Sequence, residues 1–249
     1  MMQLTLSGNG RVASYFKAAI DTHPQLELVG WYARKFEPQE ITEASVCVHT
    51  PEELPQADIH LLCLADDALE TIIARIHQKG VIAHTSGAIG LEVFNTGQQG
   101  GVFYPLQSFS KEIEISPKDI PICMEATSEE AMESLQKLSD VFGFPSQSMD
   151  SKQRLELHLA AVFANNFSNH CWTIAQQICQ KAEINFDLLG PLLQQSFNKM
   201  QINGPLASQT GPAIRNDIQT LQKHLAQLPP ELQEIYQILT TSIQKKHEL

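Results

Sequence analysis

The sequence is short of the features that mark several large classes of protein. Positive charge is scarce: 17 Lys and Arg stand against 28 Asp and Glu, for a formal net charge of −11. With no large Lys/Arg cluster either, that balance argues against a nucleic-acid surface. No apolar run reaches the length of a membrane span, and the first residues read as a strand rather than a secretory leader. Cysteine is sparse and odd in number, five in 249 residues, widely spaced and without a C-x-x-C pair. Buried free thiols in a reducing cytoplasm fit that usage better than disulfides or a zinc site. What remains, 43% hydrophobic and 18% charged, is an ordinary globular composition. Its length allows one large domain or two modest ones.

The most informative stretch is Leu4-Thr5-Leu6-Ser7-Gly8-Asn9-Gly10-Arg11-Val12-Ala13. It reads as a short buried strand, a glycine turn and the opening of a helix. Gly8-x-Gly10-x-x-Ala13 matches the dinucleotide pattern, in which each small residue has a task. Gly8 permits the tight turn, Gly10 lets a pyrophosphate come close to the backbone, and Ala13 lets the helix pack on the sheet. Free N–H groups at the helix start would face the phosphates. The expected cofactor contacts are therefore Gly8, Asn9, Gly10, Arg11 and Val12. A glycine pair is also a common plain turn, so the context carries weight: the pattern follows apolar alternation and precedes Phe16, Ala19 and Ile20 at helical spacing.

Leu26–Tyr32 is a second strand. NAD-preferring folds usually end this strand in an acid that holds the ribose 2′-hydroxyl. Here it runs into Ala33-Arg34-Lys35, with no acid before Glu37. A guanidinium at Arg34 suits a 2′-phosphate, which favours NADP over NAD, although NAD stays possible; a solvated surface cation is the plain alternative. Val46–Val48, Ala57–Leu64, Val81–Ala88, Gly101–Phe109, Asp119–Glu125 and Pro145–Met149 supply further strands and exit loops. Ala65 and Asp66 follow the Ala57–Leu64 run, and Thr85, Ser86 and Gly87 follow Val81. At the carboxyl ends of parallel strands these residues would line the ligand crevice, and the acids would also suit a helix start. Thr127-x-x-Glu130 reads as a capping box. The alternation predicts an α/β doubly wound parallel sheet over residues 1–150.

After Asp150 the pattern becomes helical through residues 151–249. Lys152 to about Glu183 contains neither Pro nor Gly and reads as one helix. Phe186 to Met200 reads as a second, broken near Gly190-Pro191. Gly211-Pro212 opens a third, and Glu231–Lys245 makes a fourth. Along the long helix His158, Asn165, Asn169 and Gln176 fall near one line at ~100° per residue. Such a stripe on an otherwise apolar helix forms either a hydrogen-bonded seam or a catalytic face. In the second reading His158 is an acid/base or carbonyl orienter, and Asn165 binds substrate. Asp217 and His224, seven apart, read best as a capped, solvated helix.

These segments, with Tyr104-Pro105-Leu106-Gln107-Ser108-Phe109 and Thr210-Gly211-Pro212-x-x-Arg215-x-Asp217-x-x-Thr220-x-x-x-His224, resemble the proteins with a Rossmann-like N-terminal domain and a DUF2520 C-terminal domain. That family lies in the wider superfamily of 6-phosphogluconate dehydrogenase, pyrroline-5-carboxylate reductase and ketopantoate reductase. The resemblance implies a nicotinamide dinucleotide domain, a helical domain used for homodimerisation, and oxidoreductase chemistry on an unnamed small molecule. Two departures stand out. Tyr104 occupies a place where His often precedes Pro-Leu-Gln, and the interdomain helix offers His158 and Asn165 where hydroxyacid dehydrogenases carry Lys and Asn. The expectation is an NADP-dependent oxidoreductase using Ser86, His158 and Asn165, without metal. Its rival is a dinucleotide-binding sensor or scaffold without turnover.

Overall fold

The computed structural model describes residues 1–36, 47–110 and 113–247. Val46, the expected start of the third strand, and Glu37 lie outside the described residues. The chain divides into two compact units, Met1–Asn169 and His170–Leu249.

The first unit is built on one eight-stranded sheet. Its strands are β1 (Met2–Ser7), β2 (Leu26–Tyr32), β3 (Cys47–Val48), β4 (Ile59–Leu62), β5 (Val81–His84), β6 (Gly100–Pro105), β7 (Ile122–Ala126) and β8 (Ser146–Ser148), in the order β3-β2-β1-β4-β5-β6-β7-β8. The first six are parallel. β7 runs antiparallel to β6, and β8 parallel to β7. This is the expected doubly wound sheet, extended by an antiparallel edge. The strand order reverses between β1 and β4, and that switch point opens a crevice at the carboxyl ends.

Strand alternation fixes the two layers. Leu4, Leu6, Leu61 and Phe103 face α1 (Arg11–Thr22) and α3 (Glu129–Phe142), where Phe16, Ile20, Leu135 and Leu138 close a fully buried core. Leu62 and Ile82 point to the opposite face and pack on Leu69, Ile72 and Ile73 of α2 (Asp66–Ile73). At ~25 cal/mol per Å² of apolar surface, each such side chain contributes roughly 1.5–3 kcal/mol.

Local chemistry shifts two expected helix starts. Thr127 does not cap α3. Its hydroxyl accepts from the Gly100 N–H at 2.9 Å and faces the Gln98 carbonyl oxygen at 3.0 Å, fastening the loop to β6. Ser128 is the cap, accepting from the Ala131 N–H at 3.1 Å. Likewise Gly211-Pro212 does not open α7 (Ile218–Gln227). Asn216 has a positive φ of 51°, which breaks the helical run, and Asp217 caps the helix through the Thr220 N–H and hydroxyl.

The long helix is present from Ser151 to Lys181, but it is not one regular α-helix. α4 (Ser151–Ala161) passes into a π segment, Val162–Phe167, before α5 (Ser168–Lys181). A π turn takes in an extra residue, so everything beyond it is rotated by about one residue, ~100°. The expected stripe therefore loses its register after Asn165. The second unit is helical: α5 from His170 onward, α6 (Gly190–Asn203), α7 and α8 (Pro230–Lys246). Among the described residues no helix is long and apolar enough to cross a membrane.

Candidate active site

The glycine turn is built as its residues dictate. Gly8 has φ of 108°, and a Cβ there would sit 2.2 Å from the carbonyl oxygen of Cys63, just after the neighbouring strand β4. Only glycine fits. The turn is held from the β2 side: the Gly8 N–H donates to the Tyr32 carbonyl at 2.7 Å, and the Trp31 indole N–H donates to the Gly8 carbonyl at 2.7 Å. Asn9 adds a third tie, its Nδ2 donating to the Lys35 carbonyl at 2.8 Å. These bonds place the exit of β2, with Arg34 exposed on it, beside the glycine turn.

Gly10 contrasts with Gly8. A Cβ at Gly10 would meet nothing within 4 Å, and its φ of −73° suits any residue. The fold does not need glycine here. The open space lies at the N-terminus of α1, which has no side-chain cap and no acid in its first turn. An uncapped helix start with bare backbone before it is an anion cradle. The residues present thus fit a dinucleotide pyrophosphate. Ala65, by comparison, is the N-cap position of α2, and Asp66 and Asp67 occupy that helix's first turn, exposed, where acids complement the dipole.

A cleft of about 610 Å³ opens at the carboxyl edge of the sheet, wholly within the first unit. It is bounded by Val12 of α1, Thr85 after β5, Tyr104 and the Leu106–Ser108 loop after β6, and one face of α4 and the π segment carrying His158 and Asn165. The expected stripe thus contributes two of its four members to the lining; Asn169 and Gln176 are not part of it. Arg11 lines a different cleft, on the flank of α1, with Tyr15, His23 and Glu114.

The most specific contact in the cleft joins Tyr104 to His158. The phenol oxygen and His158 Nδ1 are 3.1 Å apart, and the rings meet edge to face at 5.8 Å. Gly87 lies against both: a Cβ on it would be 2.7 Å from His158 Nδ1 and 2.7 Å from the Tyr104 ring. Burial, with a smaller contribution from Cys123, raises the Tyr104 pKa, so the phenol is protonated at neutral pH. The phenol is therefore a hydrogen-bond donor and acceptor beside an imidazole.

Buried Arg154 and its partners hold this pair in place. Arg154, one helical turn before His158 on the same face, is 1% exposed. Its Nη1 donates to Glu125 Oε2 of β7 at 2.5 Å and its Nη2 to the Ile89 carbonyl at 2.8 Å. Ser151 joins through its hydroxyl, 2.6 Å from Glu125 Oε2, and its N–H, 3.0 Å from Oε1. This network fastens the start of α4 to the sheet and to the loop after β5. In that loop Ser86 acts as a turn former, its hydroxyl oxygen accepting from the Ala88 and Ile89 N–H groups at 3.1 Å each. His84 accepts from the Ser86 N–H at Nδ1, which leaves Nε2–H to donate to the Gly90 carbonyl. Burial pushes the His84 pKa down to about 4, so it is neutral.

Comparison with known proteins fits this geometry. A family model, "Domain of unknown function (DUF2520)", matches residues 120–243. A structure from Bacteroides fragilis, of a protein proposed to be an NADP oxidoreductase, is 32% identical over 100% of this chain and 98% of its own, with a TM-score of 0.88. The chain belongs to the DUF2520 family. The DUF2520 match begins at Ile120, so it takes in β7, α3 and β8 as well as the helices that follow. A reductive aminase from Aspergillus terreus, in complex with NADPH and ethyl levulinate, superposes with a TM-score of 0.71 at 12% identity, over 99% of this chain and 94% of that one. A Plasmodium falciparum pyrroline carboxylate reductase with NADP bound gives 0.65 at 10%, over 99% and 97%. At these identities the likeness is one of fold. No curated protein matches the chain significantly by sequence.

Sequence reading did not find the Arg154–Glu125 anchor or the pairing of Tyr104 with His158. The one available signal was Arg154 four residues before His158, a helical repeat that sets both on one face. Nothing in the strand pattern of β7 singles out Glu125.

Proposed function

We propose that this DUF2520 protein is an NADP-dependent oxidoreductase acting on a small molecule held in the Tyr104–His158 cleft. One observation carries the reading: the uncapped, Cβ-free start of α1 and the Tyr104–His158 pair border the same carboxyl edge of the sheet. Val12, in the first turn of α1, lines the cleft itself. The Bacteroides fragilis relative, at 32% identity over nearly its full length, supports the cofactor assignment.

In this reading Gly8 to Val12 hold the pyrophosphate and Arg34 pairs with the 2′-phosphate. The bound cofactor supplies the hydride, electron pair included. The protein supplies the matching proton and the geometry. Tyr104 or His158 gives a proton to the substrate oxygen or nitrogen, the other partner of the hydrogen bond replenishes it, and water restores the pair. Asn165 orients the substrate. Ser86 acts from behind, shaping the Gly87 turn against which the pair rests. We further infer a homodimer through the helical second unit, in a cytoplasmic setting.

Calorimetric titration tests the cofactor assignment. NADPH is expected to bind in the micromolar range, with NADH at least ~10-fold weaker. Arg34→Ser should remove that preference and leave NADH unchanged. Equal binding of both by the parent protein would refute the Arg34 assignment, and binding of neither would return the chain to the scaffold reading. With a substrate found by screening, Tyr104→Phe and His158→Ala should each lower kcat by about 10²-fold or more while NADPH affinity stays constant.

A further inference from the structure

The cleft differs from most small-metabolite sites in what its walls lack. Among the described residues that line it there is no Lys, Arg, Asp or Glu. Its polar groups are the hydroxyls of Thr85, Tyr104 and Ser108, the amides of Gln107, Asn165 and Asn166, and the imidazole of His158. Gln107 is partly engaged already, its Nε2 donating to the Asp119 carbonyl at 3.1 Å. The remainder of the wall is aliphatic, from Val12, Leu106, Leu157 and Val162 among others. The nearest buried cation along α4 is Arg154, and it is committed to Glu125 and the Ile89 carbonyl. Arg11 faces the other cleft.

A carboxylate or phosphate entering such a cleft gives up its hydration and receives no cation in return. Moving an ionised group out of water without a partner is the most expensive polar transfer a site can impose. An uncharged carbonyl or imine with an apolar body meets no such penalty. Its single acceptor atom is matched by the one donor that the hydrogen-bonded Tyr104–His158 pair turns outward, and its body by the aliphatic wall. Specificity of this kind arises from leaving the wrong ligand uncompensated.

We propose that the site selects uncharged carbonyl or imine compounds with an apolar body and rejects their carboxylate-bearing counterparts. This rests on the oxidoreductase reading above and gives it a substrate class. The reaction balances as a two-electron reduction. Bound reduced nicotinamide would supply the hydride for the new C–H bond, the π electrons would pass to the substrate oxygen or nitrogen, and a proton from the Tyr104–His158 pair would form the O–H or N–H bond.

The test uses the full-length protein, loaded with NADPH, and a pair of inert probes of one shape: cyclohexanecarboxamide and cyclohexanecarboxylate at pH 8. NADPH binding is read first in the calorimeter. If that step fails, the cofactor reading fails, and the probes are titrated against the protein alone. The carboxamide is expected to bind at least tenfold more tightly than the carboxylate. An Ala160→Lys variant, which sets one cation on the α4 wall, should reverse the order. Equal or tighter binding of the carboxylate by the parent protein would overturn the proposal, and so would failure of both probes to bind.

Discussion

At the scale of single residues, Gly8 and Gly10 show how one motif serves two purposes. Gly8 is demanded by the fold, since its positive φ and its approach to the Cys63 carbonyl exclude a side chain. Gly10 is demanded by nothing in the chain itself. Gly8→Ala is therefore expected to destabilise the protein by about 2 kcal/mol or more. Gly10→Ala should cost less than ~1 kcal/mol, yet weaken NADPH binding by at least ~10-fold, because its methyl fills the space proposed for the pyrophosphate. Thermal melts paired with NADPH titration separate the two. A Gly10→Ala protein with full NADPH affinity would remove the pyrophosphate from this turn.

His84 supplies a second residue-scale expectation. Its folded pKa, about 4, lies below the ordinary 6.5 because burial penalises the charged ring. The unfolded chain therefore binds more protons than the folded one between those values. Stability is fully present above about pH 6.5 and falls as pH drops toward 4, by roughly 3 kcal/mol at most. The His60 pKa is also lowered by burial, and the shift acts in the same direction. Denaturant melts at pH 7 and pH 4.5 should show the loss, and His84→Gln should reduce it. An unchanged pH dependence in that variant would show that other groups govern acid unfolding.

At the scale of elements, α4 is the part that turns a sheet edge into a site. Asp150 caps it, with Gln153 completing a capping box, and Arg154 fastens it to β7. Arg154→Met should cost about 3 kcal/mol, because it leaves Glu125 without its cation in a largely buried position. Pairing it with Glu125→Gln should recover much of the loss. The double variant is then the more informative protein. If the ion pair serves to aim His158, stability returns while the position of the imidazole against Tyr104 does not. That aim can be followed in the pH titration of the His158 ring by NMR. Full recovery of both would assign the pair to stability alone. The π segment belongs to this scale too, since it separates Asn169 and Gln176 from His158 and Asn165, which line the cleft.

At the scale of the whole molecule, the two units are unequal. The first buries an aromatic and aliphatic core on both faces of its sheet. In the second, Ala213 and Leu221 are the hydrophobic residues classed as buried among those described, while Leu188, Leu192, Phe197 and Ile238 are more than half exposed. A mainly helical unit spanning His170–Leu249 with so little interior has little of the apolar burial that normally stabilises a domain. The proposed dimer would supply the missing cover. Sedimentation equilibrium should then give about twice the chain mass of 27.7 kDa, and Phe197→Asp should shift the protein toward the monomer. A monomer at tens of micromolar would refute this assignment.

The sequence by itself determined the parts whose physics is local. The glycine turn, the period-two strands and the run without Pro or Gly after Asp150 all follow from short-range sterics and patterning, and they imply the doubly wound sheet with a helical second half. The family resemblance was legible for the same reason, being carried by such segments. The tertiary structure alone decided the contacts that pattern does not encode. Ser128 rather than Thr127 caps α3 because Thr127 is taken by Gly100, 27 residues away. The π segment breaks a periodicity that one-dimensional reasoning assumes constant. Tyr104 meets His158 across 54 residues, and Arg154 meets Glu125 across 29, because the sheet brings β6 and β7 to the same edge as α4. Distances of that kind depend on strand order and register, which single-sequence patterns do not specify.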